Sequence, residues 1–161
     1  MPPATSSKYN GDAASGDVAS AQMPADAQRF RLVEFRSLRT PAGLCRAEVE
    51  LEWHDGSRIV GRSSGQSSAF GDLRIAADAT LEALRQGGSE PGRFDLVGVK
   101  AVKAFDASVV IVSVIASFTN GPTGVRLVGA AFAEDDDSAR GAVLAVLNAT
   151  NRIIGRRPLP G

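Results

Sequence analysis

The chain has 161 residues, which points to one domain with a sizeable core. Its 18 basic and 18 acidic residues cancel, so no whole-molecule field draws in a polyanion or an acidic membrane surface, and nucleic acid is disfavoured as a partner. The single cysteine, Cys45, excludes an internal disulfide and a thiolate metal site, and no apolar run approaches the ~20 residues that span a bilayer. With no leader-like N-terminus, a cytoplasmic protein without membrane partners is expected.

Residues 1–28 are rich in Ala, Ser, Gly, Asp and Pro and read as a disordered tail. Order is expected from Arg29, where Phe30, Leu32 and, after a slip, Phe35 and Leu38 lie along a strand turned by Thr40-Pro41-Ala42-Gly43. From Ala47 to Trp53 the chain alternates, with Ala47, Val49, Leu51 and Trp53 on one face and Glu48, Glu50 and Glu52 on the other. Asp55-Gly56 predicts a two-residue hairpin of type I′, returning the chain through Arg58 to Gly61. The loop GRSSGQSS then delivers it to a helix capped by Ser67 or Ser68. That helix has Phe70, Leu73, Ala77, Leu81 and Leu84 on one stripe and stops at Gly87-Gly88.

The second half repeats this order. FDLVGVKAV opens it, and VVIVSVIASF and VRLVGAAFA follow as strands. A helix, SARGAVLAVLNATNRII, comes after an acidic stop and ends at Gly155 and Pro158. Its buried stripe is Ala139, Val143, Val146, Leu147, Thr150 and Ile154. Matching Val60-Gly61 to Val128-Gly129 needs an offset of 68 residues, and matching Leu81 and Leu84 to Leu144 and Leu147 needs 63, so five extra residues are expected between strand and helix in the first half. The fold class is therefore α+β: two repeats of a three-strand-plus-helix unit (about 29–87 and 93–155), with antiparallel sheets, helices on one face and a C-terminal tail over 156–161.

Catalytic chemistry has little to stand on. His54 flanks a hairpin tip, where a polar residue is expected anyway, and Cys45 has no neighbour that would lower its pKa. Asp135, Asp136 and Asp137 read as a helix cap and a solvated face in preference to a cation site. No enzyme activity, cofactor or metal is expected.

AEVELEWHDGSRIVG, the entry GRSSGQSSA and DDDSARGAVLAVLNATNR together resemble the C-terminal regulatory domain of 2-isopropylmalate synthase and citramalate synthase, over roughly Phe30 to Ile154. The resemblance implies a dimerising domain that holds a feedback amino acid in loops before its helices. Those loops correspond here to Gly65, Gln66, Ser67, Ser68 and Ala69, and to Ala131 through Asp135 and Asp136. The family's catalytic barrel is absent, so synthase activity does not carry over. Gln66-Ser67-Ser68 stands where the family has an Asn-Gly-Pro-like turn, so the identity of the amino acid does not carry over either.

Three functions follow in order of preference. The first is a stand-alone regulatory or dimerisation module that takes a small amino-acid-like effector and serves a partner enzyme. The second is a ligand-free assembly module. The third is a double-stranded RNA-binding-like domain, disfavoured because SSAFGDLR lacks the lysine cluster that would grip phosphates. The strand Val109 to Phe118 wants both faces dry. Helices cover one face, and the other, carrying either Val110, Val112 and Val114 or Val109, Ile111 and Ile115, is left for a twofold partner, with the first set assigned to the homodimer interface.

Overall fold

The structure, a computed structural model, describes residues 29–87 and 92–154. The expected tails over 1–28 and 156–161 lie outside the described residues. The elements run β1 (Arg31–Arg39), β2 (Leu44–Glu52), β3 (Arg58–Gln66), α1 (Ala69–Gly87), β4 (Gly92–Ala104), β5 (Ala107–Phe118), β6 (Val125–Ala133) and α2 (Ser138–Ile154). They form two antiparallel meanders, β1-β2-β3 and β4-β5-β6, each followed by a helix that packs on its inner face. This is the α+β fold of two βββα units that the repeat implies.

Alternation decides the faces. Cys45, Ala47, Val49 and Leu51 of β2 are buried under α1, while Glu48, Glu50 and Glu52 point outward. There they meet Arg62, Arg58 and Arg31 from the neighbouring strands, so the outer face of the first sheet is a lattice of ion pairs. In the second sheet Val110, Val112 and Val114 are fully buried beneath α2 and cannot reach a partner. The outward set is Val109, Ile111 and Ile115, because β5 exposes the alternate side chains. A bulge between Leu32 and Glu34 slips the β1 register, which turns Phe35 inward and leaves Leu38 64% exposed on the charged face.

The Asp55-Gly56 turn differs in type from expectation. Asp55-Gly56 is part of a three-residue loop: Gly56 N–H donates to Trp53 O, and only Gly56 takes a left-handed φ, 85°. This is a type I turn closed by a glycine, the next commonest solution after the primed turns. Thr40 to Gly43 does the same, with Pro41 after Thr40 and Gly43 at φ 77°. The two-residue turn lies between β4 and β5, at Phe105 and Asp106, both left-handed at φ 53° and 62°. Neither is a glycine, so composition gives no hint of it.

The helices sit unusually close to the sheets. A Cβ on Gly61 would fall 2.0 Å from Ala79 O and 2.4 Å from Ala83 N, and one on Gly129 would fall 2.1 Å from Ala145 O and 2.6 Å from Ala149 N. Glycine in the strand and two alanines a turn apart in the helix let backbone approach backbone in each half. Gly61 precedes Ala79 by 18 residues and Gly129 precedes Ala145 by 16. The first path is thus two residues longer, not five, and the excess lies in the helix: α1 starts 10 residues before Ala79 and α2 only 7 before Ala145, while the β3–α1 connection, 67–68, is shorter than the β6–α2 connection, 134–137. Leu73, Ala77, Leu81 and Leu84 are buried as expected, but Phe70 is 58% exposed, since α1 starts at Ala69 and its first turn overhangs the sheet.

The halves are locked together. The helices pack on each other, α1 also reaches β4, and α2 touches β1. Asn151 of α2 accepts from Phe30 N–H at 3.0 Å and donates to Phe30 O at 3.0 Å, as a neighbouring strand would. The Phe30 ring lies 4.5 Å from that of Trp53. Gly61→Ala and Gly129→Ala should each destabilise by about 3 kcal/mol in urea unfolding. Gly98→Ala, whose Cβ meets nothing within 4 Å, should stay within about 0.5 kcal/mol. Unchanged stability in the first two variants would contradict the close approach.

Candidate effector cleft

Both helices begin at the same end of the molecule, and their first turns face each other across a cleft of about 460 Å³. That is ample for a small ligand. Ala69, Phe70, Asp72 and Leu73 of α1 line one wall, and Asp135 to Ala139, leading into α2, line the other. The ends of two inner-edge strands complete it, with Ser37 and Arg39 from β1 and Lys100 and Ala101 from β4.

Local chemistry sets each wall. Ser68 caps α1: its Oγ accepts from Gly71 N–H at 2.8 Å and its carbonyl from Asp72 N–H at 2.8 Å. A Cβ on Gly71 would come 2.7 Å from both Gln66 O and Ser68 Oγ, so the glycine in the first turn is required by the cap. Ser67 N–H donates to Gly43 O, tying this loop to the β1–β2 turn. Asp137 caps α2 by accepting from Arg140 N–H at 3.2 Å.

Each half closes its corner with a cation, a carboxylate and a short polar side chain. In the first, Arg39 reaches Asp72 Oδ2 with Nη2 at 2.6 Å and Nε at 2.7 Å, and Ser67 Oγ donates to Asp72 Oδ1 at 3.0 Å. In the second, Lys103 Nζ lies 2.7 Å from Asp135 Oδ1, and Ser108 Oγ donates to it at 3.1 Å. Arg39 stands opposite Cys45 across β1–β2 and Lys103 opposite Ser108 across β4–β5, so these positions correspond. The carboxylate comes from inside α1 in one half and from before α2 in the other.

Burial pushes the Asp72 carboxyl up, but the hydrogen bond from Ser67 and the hydrogen bond and charge of Arg39 together hold it below the ordinary aspartate value. The Lys103 and then Ser108 hydrogen bonds lower Asp135. Burial, helped by the Asp72 charge, raises the Cys45 thiol, the opposite of what a reactive thiolate needs. Among the described residues no three His, Cys, Asp or Glu side chains cluster as a metal site would require. No helix among them is long and apolar enough to cross a membrane.

Of the residues assigned to ligand binding, Ala69, Asp135 and Asp136 line the cleft. Gly65, Gln66, Ser67 and Ser68 stand behind it, with Gly65 packed toward Ile75 and Ser67 acting through Asp72. Ala131 is half-buried on the inner face of β6, away from the cleft. Sequence reasoning missed Arg39 and Lys100, which lie far from the helices along the chain. The available signal for Arg39 was its recurrence as Lys103 near the end of the second opening strand. The chain matches no protein-family model and no curated protein sequence.

Asp72 has a depressed folded pKa, so its pairing stabilises the protein fully above the ordinary aspartate pKa, and that contribution is lost as pH falls through the depressed value. Arg39→Ala should therefore cost about 1–2 kcal/mol at pH 7, where Asp72 is charged and buried. The gap between variant and wild type should shrink as the pH is lowered through the acid range. Urea unfolding at several pH values reads this, and a pH-independent gap would exclude the Asp72 partnership as its source.

Proposed function

We propose that the chain is a non-catalytic regulatory module that takes a small amino-acid-like effector in the cleft and passes its occupancy to a partner enzyme. The observation that carries this reading is the convergence of the two helix entries, distant in sequence, on one cleft with opposite charges on its walls. Arg39 and the first-turn N–H groups of Ala69 and Phe70 suit a carboxylate. Asp135 and Asp136 suit an ammonium group, and Phe70, Leu73, Ala101 and Ala139 offer apolar surface to a side chain. A zwitterion with an aliphatic side chain satisfies all three.

A ligand-free assembly role is the second reading, favoured by the internal saturation of Asp72 by Arg39, Ser67 and Ser68. Calorimetric titration with branched-chain amino acids and the matching 2-oxo acids separates the two. The effector reading expects saturable binding of at least one amino acid. It also expects binding at least about tenfold weaker for the 2-oxo acid, which lacks the ammonium, and a similar loss in Arg39→Ala. No heat from any member of the panel would favour the assembly role.

A further inference from the structure

The two outer sheet faces are chemically opposite. Against the ion-pair lattice of the first stands the second, where Val102, Val109, Ile111, Ile115, Val128 and Phe132 point outward. Phe132 is 77% exposed and Val128 54%. At the centre of this face the Ser113 hydroxyl is buried and has no hydrogen-bond partner among the described residues. Beside it Gly98, next to the bulge in β4, leaves open space where a side chain would be. The free edge of β6 is a poorer docking point, because Asn148 Nδ2 already donates to Ala130 O at 2.7 Å in mid-strand.

We propose that this face docks a second copy of the chain about a twofold axis running along β5. The register makes the surface complementary to itself about that axis. Across β5, Asp95 and Arg126 share the row of Ile115, Gly98 and Val128 that of Ser113, Lys100 and Ala130 that of Ile111, and Val102 and Phe132 that of Val109. The axis lays β4 of one copy over β6 of the other, row on row. Asp95 then faces Arg126 of the partner copy, Val128 faces the open space at Gly98, and Phe132 faces Val102. Arg126 has no ion pair among the described residues, and Asp95 is held only by exposed Arg93. Aligned sheets packed face to face are a common arrangement, and an isologous dimer is its usual symmetric form. The pairing stands whether or not the cleft takes an effector.

Sedimentation equilibrium of the full chain at micromolar concentration should give twice the 16.7 kDa protomer mass. Val128→Lys should give a protomer that keeps its far-ultraviolet circular dichroism. Asp95→Arg and Arg126→Asp should each weaken association by about tenfold or more, and the double variant should restore it. Because Arg126 is exposed and Asp95 only half-buried, the swap remains readable even if Val128→Lys fails to fold. A monomeric wild type, or a dimer indifferent to all these changes, would overturn the proposal. Neither result would bear on effector binding, which calorimetry reads separately.

Discussion

The fold depends on backbone meeting backbone without an intervening side chain, at Gly61 on Ala79 and Ala83 and at Gly129 on Ala145 and Ala149. Both helices are rich in buried alanine, with Ala76, Ala77, Ala79 and Ala83 in one and Ala142, Ala145 and Ala149 in the other. Such residues bury little apolar area each, so these helices are held by closeness more than by large side chains. That closeness sets the height of each helix above its sheet and aims both first turns at one place. Where Leu73 and Phe70 overhang one sheet and Ser138 and Ala139 overhang the other, the cleft opens.

The repeats are equivalent in backbone and divergent in surface. Each keeps a basic residue at the end of its opening strand, a small side chain opposite it and a carboxylate over the pair. Asp72 is buried and saturated by Arg39 and Ser67, so it acts as structure, whereas Asp135, with Asp136 beside it, remains exposed at the cleft. The outer faces diverge in the same way: glutamates and arginines make one a finished surface, and valine, isoleucine and phenylalanine leave the other in need of a cover.

Much of the architecture was legible because period and punctuation agree. The strict alternation of β2, the apolar stripe of α2 and the Ser and Asp caps each admit one local structure, and the repetition of their order fixes the class. What was illegible depends on geometry between distant elements. Glycine in GRSSGQSS reads as loop, although β3 runs through Gly61 and Gly65 as far as Gln66, because a strand pressed on a helix also needs glycine. Which face of β5 turns inward could not be read from a strand apolar on both sides; α2 decides it by covering Val110, Val112 and Val114. Arg39 and Lys100 join the cleft only through tertiary packing, and in the Phe-Asp turn the aspartate is a weak signal beside a bulky ring at a left-handed position.

The central claim is that the two helix entries form one receptor for a small zwitterion. Nitrogen-15 correlation spectra recorded during titration with branched-chain amino acids test it at the level of single amides. Saturable shifts should appear together at Ala69 to Leu73, at Asp136 to Ala139 and at Lys100 and Ala101, on both sides of the cleft. Shifts confined to one half, or a spectrum unmoved by every amino acid in the series, would contradict it.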